Sequence, residues 1–183
     1  MADRKFPDMW VDPEDDPRES GEPSAGEMGV LVDYLERYRM TFEMKCEGLD
    51  AEQMARRSVP PSTLSLLGLV RHLAKVEHSW FTRVMQHQPD LPKLYFREDD
   101  RDLDFDGAVA DDDVVADAWQ SWRREVAAAE AYVDSQPDLD VQGTVHDETI
   151  ALREVLVHMI EEYARHVGHA DLLRECIDGR TGQ

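Results

Sequence analysis

Apolar residues recur along this chain at steps of three and four, the spacing that lines one face of an α-helix. The first such run extends from about Glu27 to Leu49, with Met28, Leu31, Leu35, Tyr38, Phe42, Cys46 and Leu49 on its stripe. Pro60 and Pro61 then interrupt helix propagation, and Ser62 and Thr63 offer side-chain oxygens to cap a new start. A second run covers about Leu64 to His87 through Leu66, Leu69, Leu73, Val76, Trp80 and Val84. A third follows Asp111, Asp112 and Asp113, whose carboxylates complement a helix N-terminus, and uses Val115, Ala118, Trp119, Trp122, Val126, Ala129 and Val133. Gln136, Pro137 and Asp138 end it. The fourth spans about Ile150 to Asp178, with Gly179 as its stop. The stretch 141–149 reads as a loop or a short strand, and no convincing set of strands is evident. Four amphipathic helices that hide their stripes against one another predict an all-α chain folded as an antiparallel four-helix bundle.

Two stretches fall outside this pattern. Residues 1–24 hold four prolines and many acids without periodicity, and they read as an extended arm ahead of a bundle at 25–183. Phe6, Met9 and Trp10 are too apolar for a purely solvated tail, so part of the arm is expected to lie on the body. With no periodic apolar face of its own, the arm is expected to be dispensable for the fold. The acidic, Pro-containing stretch 88–107 reads as a long loop too broken for a helix, although it holds Leu94, Tyr95 and Phe96. Loops of that length inside compact domains often act as lids over functional sites.

Composition narrows the function. Asp and Glu number 40 against 20 Lys and Arg, a formal charge of −20, so phosphate backbones and anionic lipid surfaces are repelled and neither nucleic acid nor membrane is an expected partner. No apolar run is long enough to span a bilayer or to serve as a secretory signal, which predicts a cytoplasmic protein. Cys46 and Cys176 are far apart and outside any zinc-ribbon spacing, which excludes a disulfide scaffold and a thiolate metal site and predicts two reduced thiols at the core edge.

The informative residues are polar ones on apolar stripes. Projected at about 100° per residue around Met159, His166 lands about 20° from the stripe centre and Glu162 about 60° away. They stand four residues apart, one turn apart on the same face. A buried carboxylate needs a partner, and an inward Glu and His satisfy each other by sharing a divalent cation, given a third ligand from a facing helix. His72, about 100° from Leu73 on the second helix, is placed to lean in as that ligand. His158 and His169, at the edge of the fourth stripe, read either as ordinary flank histidines or as groups that orient the ligands. Glu77 is also near its stripe and reads as structural, His78 faces away from it, and His146 falls in a loop. Spacing alone leaves other readings open. Glu162 and His166 could form a metal-free buried pair, Glu162 could pair with Arg165 on a solvated face, and His72 could be an ordinary core-edge histidine.

The segments STLSLLGLVRHLAKVEHSWF (62–81) and LREVLVHMIEEYARHVGHADLLRE (152–175) resemble the DinB superfamily, in particular a domain-of-unknown-function branch of actinobacteria. That superfamily includes the mycothiol-dependent maleylpyruvate isomerases and bacillithiol S-transferases. The resemblance covers about residues 25–183. It implies a four-helix bundle holding one divalent metal through His72 in RHLAKVEHSW and through Glu162 and His166 in EYARHVGH. Many members have His where this chain has Glu162, which matches instead the His-Glu-His set of the mycothiol-dependent isomerases. The function implied is a thiol-dependent S-transferase or isomerase, with a low-molecular-weight thiol such as mycothiol and an electrophile as substrates. Zinc fits the N/N/O ligand set best, with nickel or another ion allowed. The alternatives are a metal-dependent hydrolase with a metal-activated water, and a non-catalytic metal-binding stress protein. No catalytic residue beyond the metal ligands is assigned, and the chain is expected to be a monomer or homodimer.

Overall fold

The computed structural model describes residues 5, 6, 8–19 and 24–182. Four long helices carry the fold: α1 (Gly26–Cys46), α3 (Leu66–Glu77), α5 (Asp112–Asp134) and α6 (Leu152–Asp178). Among the described residues the chain is all-α apart from one hairpin, as its periodicity predicts. Two short helices, α2 (Ala51–Ala55) and α4 (Leu103–Asp106), lie in the connections. The expectation that the stretch after His87 holds no helix is therefore corrected by one turn at α4. Local signals explain most boundaries. Asp111 starts α5 by accepting from the amides of Asp113 (2.8 Å) and Val114 (3.2 Å). Gly179 ends α6 in the left-handed region at φ 78°. The cap of α3 is Ser65, accepting from Gly68 N at 3.1 Å, rather than Ser62 or Thr63.

Beyond Glu77, α3 continues as a π-helix over His78–Met85. More residues per turn mean that later side chains lag an α-helical projection. His78, the first residue of that segment, is buried rather than turned away because α5 and the following connection cover this face, with Nδ1 2.9 Å from Glu125 Oε2 and Nε2 3.1 Å from the Pro92 carbonyl. The ambiguous stretch before α6 is a hairpin: β1 (Gln142–Val145) pairs antiparallel with β2 (Glu148–Ala151). His146 (φ 48°) and Asp147 (φ 67°) form its two-residue turn, where positive φ at both positions matches the strand twist.

The helix directions are mixed. Arg153 pairs with Glu27, while Arg174 donates to the Lys45 and Glu47 carbonyls at 2.9 and 2.8 Å, so α1 and α6 run parallel. His78 meets Glu125 and the Tyr132 hydroxyl donates to Met85 O at 3.2 Å, so α3 and α5 also run parallel. The two pairs oppose each other. The long connection 86–111 makes this possible, because it carries the chain back along the bundle before α5 begins.

At the centre, one side chain from each long helix joins a buried polar chain. The Arg39 guanidinium (α1) donates two 2.8 Å bonds to the Glu77 carboxylate (α3). The Tyr163 hydroxyl (α6) donates to Glu77 at 2.8 Å and accepts from Trp122 Nε1 (α5) at 2.8 Å. Glu77 and Tyr163 are both 0% exposed. Around them pack Leu35, Phe42, Leu69, Leu73, Phe81, Val155 and Met159.

The arm is held more firmly than its composition predicts. Trp10 is 1% exposed. Its ring lies 4.0 Å from Lys45 Nζ, 3.7 Å from the Arg180 guanidinium and 5.4 Å from that of Arg174. Phe6, by contrast, is exposed. Of the two thiols expected at the core edge, Cys46 is buried and Cys176 is exposed.

Glu77→Gln leaves the buried Arg39 charge with only the half-exposed Glu130 carboxylate at 3.4 Å and is expected to lower stability by about 3 kcal/mol in urea unfolding. Trp10→Ala should cost on the order of 3 kcal/mol in the same measurement, as for a core aromatic. A loss well under 1 kcal/mol would mean that the arm only rests on the surface.

Candidate metal centre

Three of the sequence-predicted residues meet between α3 and α6. His72 projects from α3, and Glu162 and His166 project from α6 one turn apart. Glu162 Oε2 lies 3.3 Å from His166 Nε2 and 3.9 Å from His72 Nε2. One ligand atom from each residue falls within 4.8 Å of the others. His166 is 8% exposed, and the other two are half-buried at the open side. Two imidazole nitrogens and a carboxylate oxygen converging in this way fit a divalent cation of borderline character.

The register of the two helices follows from the buried polar chain. Tyr163 is the residue after Glu162, and Glu77 lies five residues after His72 on the same helix. The Tyr163–Glu77 hydrogen bond therefore sets which part of α6 faces His72. Glu77 itself stays out of the cluster.

Each ring nitrogen turned away from Glu162 has its own partner. His72 Nδ1 is 2.8 Å from Asp104 Oδ2, and His166 Nδ1 is 3.3 Å from His169 Nδ1. His158 approaches from the other side, with Nε2 3.6 Å from Glu162 Oε1 and its ring edge-on to Trp80 at 4.7 Å. Both flanking histidines thus reach the cluster's partners, while His146 stands in the hairpin turn. Asp104 was not singled out by sequence. It is one of several acids in a polar segment, and its only local signal is the alternation of Leu103 and Phe105 with Asp104 and Asp106 before Gly107.

Charge follows geometry. Hydrogen bonds from His166 and then His72 hold the Glu162 carboxyl well below the usual carboxylate range. Burial opposes a charge on His72, but its hydrogen bonds to Asp104 and Glu162 outweigh burial and raise its pKa. Burial likewise opposes the charge of Asp104, yet His72 and Lys75 bring its pKa down. Burial, with the adjacent His166, lowers that of His169.

The family model for Mycothiol-S-transferase matches residues 30–179, which contain nearly all of the four helices and all three clustered residues. The chain belongs to the mycothiol-S-transferase family. This is a DinB-like family, in keeping with the superfamily resemblance of segments 62–81 and 152–175. Among solved structures, the crystal structure of a conserved protein from Enterococcus faecalis is similar. It shares 17% identity and a TM-score of 0.59, and the match covers 85% of this chain and 99% of that one, which shows the fold. No curated protein matches the chain. None of the described helices is long and apolar enough to cross a membrane.

The shifted groups define a pH window for the metal-free protein. The depressed Glu162 pKa contributes stability that is present above its unfolded value of 4.5 and lost as pH falls through the folded value. The raised His72 pKa contributes stability that is present below its unfolded value of 6.5 and lost as pH rises through the folded value. Chelator-treated protein should therefore gain from both between about pH 4.5 and 6.5. Urea titrations across pH check this: Glu162→Gln should lower the excess stability in that window, leaving the part that Asp104 confers on His72.

Proposed function

We propose that the chain is a thiol-dependent S-transferase of the mycothiol type, with one divalent ion held by His72, Glu162 and His166. The observation that carries this reading is the convergence of those three donor groups in a member of the mycothiol-S-transferase family. Zinc suits the N/N/O donors best, and nickel is compatible with them.

The residues divide the work. Two neutral imidazoles and one carboxylate contribute a single negative charge, so a divalent ion among them keeps net positive charge and favours an anionic partner. When bound, that ion supplies a Lewis-acidic position with coordination sites left open by only three protein ligands, where the thiolate form of a thiol is favoured at neutral pH. Asp104 and His169 hold the two imidazoles by their outer nitrogens. Phe105 stacks on His72 with ring centroids 5.2 Å apart, and Trp80 packs on His158, so both give the cluster apolar neighbours that restrict water. The substrates are a low-molecular-weight thiol and an electrophile that accepts its sulfur.

Cobalt substitution tests this reading, because the ion's absorption reports its ligands. A small thiol should produce a saturable sulfur-to-cobalt band that strengthens as pH rises towards neutrality. Glu162→Ala should lower metal occupancy sharply and abolish the band. Full occupancy in that variant would remove Glu162 from the ligand set. A cobalt spectrum indifferent to every thiol would favour hydrolysis or a non-catalytic metal site.

A further inference from the structure

Asp104 belongs to none of the four long helices, yet it is 1% exposed and its carboxylate is turned onto His72. Oδ2 is 2.8 Å from His72 Nδ1, and Oδ1 is 3.1 Å from Lys75 Nζ. A carboxylate only accepts hydrogen bonds, so the imidazole nitrogen facing it carries the proton. In the neutral ring the lone pair is then on Nε2, the atom 3.9 Å from Glu162 Oε2.

The backbone carrying Asp104 is fastened to α3 on both sides of His72. Arg71 donates from Nε to the Asp104 carbonyl at 2.9 Å and from Nη2 to that of Leu103 at 2.8 Å. Lys75 donates to the Arg101 carbonyl at 3.1 Å. One turn earlier, Gly68 lets the segment approach closely: a Cβ there would stand 2.8 Å from Phe105 Cδ1. Phe105 in turn stacks on the His72 ring. The connection 86–111 thus reaches His72 with a buried acceptor and an aromatic face, and residues 101–105 within it are held by Arg71 and Lys75, which flank His72 on α3.

We propose that Asp104 is the positioning residue of the metal centre: it fixes the tautomer and orientation of His72, and through it the docking of segment 97–108 and metal binding strengthen each other. The inference rests on the metal centre proposed above. Because coupling between two equilibria is reciprocal, any factor by which the docked segment tightens metal binding is also the factor by which the metal tightens docking.

Three measurements test it. The first is the 15N shifts of His72 in metal-free protein, at a pH that neutralises the ring. They should report a proton on Nδ1; a proton on Nε2 overturns the proposal whatever the variants do. The second is amide hydrogen exchange of residues 97–108 with and without zinc. Zinc should slow it in the wild-type chain, and exchange unchanged by zinc overturns the coupling. The third is zinc affinity by competition with a chromophoric chelator. Asp104→Asn, checked for folding by circular dichroism, should bind zinc roughly 10–100-fold more weakly and lose the zinc-dependent protection. Wild-type affinity and protection in that variant would overturn the positioning role while leaving the metal centre intact. Failure of the wild-type chain to bind zinc at one equivalent would overturn both. If Asp104→Asn does not fold, the first two measurements on the wild-type chain decide.

Discussion

The buried chain Arg39–Glu77–Tyr163–Trp122 is the constraint on which the rest of this structure depends. It takes one side chain from each long helix and satisfies them through each other, with the Arg39–Glu77 pair bidentate and the Tyr163 hydroxyl both donating and accepting. A buried ion pair adds little net stability over an apolar contact of the same size, but losing one member is severe. Its effect is therefore on register. Sliding α6 by a turn against α3 would leave Glu77 without its phenol, and sliding α1 would leave the same carboxylate without its guanidinium. Apolar stripes of Leu, Val and Met tolerate such slips far better, because dispersion and burial are not directional.

From that register the candidate metal cluster follows. Glu162 and Tyr163 are adjacent on α6, so the helix that delivers a phenol to the buried chain delivers a carboxylate to the next groove. His72 and Glu77 share α3 in the same way. The interior member of each pair is fully enclosed and the outer member is half-open, which places the cluster on the wall of the core with one side accessible. Of the groups that hold the two imidazoles, Asp104 is buried and His169 half-buried.

The mixed helix directions have a consequence of their own. Parallel α3 and α5 require a connection that returns the length of the bundle. That connection, 86–111, is pinned by His78 at the Pro92 carbonyl, by Arg71 over the Tyr95 ring at 4.0 Å, and by Tyr95 to Asp117 at 2.8 Å. A segment that topology obliges to pass α3 thereby becomes available to support His72. Trp10 fastens the arm where α1 and α6 end, over Lys45, Arg174 and Arg180.

The sequence by itself determined the helices, because a 3.6-residue repeat of apolar positions has one economical solution, and it pointed to Glu162 and His166, because a polar residue on an apolar stripe needs a partner, while His72, off its stripe, was singled out by the superfamily resemblance. It also carried the superfamily resemblance in two short motifs. It did not show which helices run parallel, since either direction buries the same stripes and only inter-helix pairs such as Arg153–Glu27 and Tyr132–Met85 choose between them. The burial of His78 was hidden because the groups that cover it, Glu125 and the Pro92 carbonyl, come from α5 and the connection 86–111. Trp10 was hidden because its partners, Lys45, Arg174 and Arg180, lie far away in the chain. Asp104 was hidden among similar acids for the same reason: what distinguishes it is burial against His72 and Lys75, a property of position in three dimensions that only the tertiary structure decides.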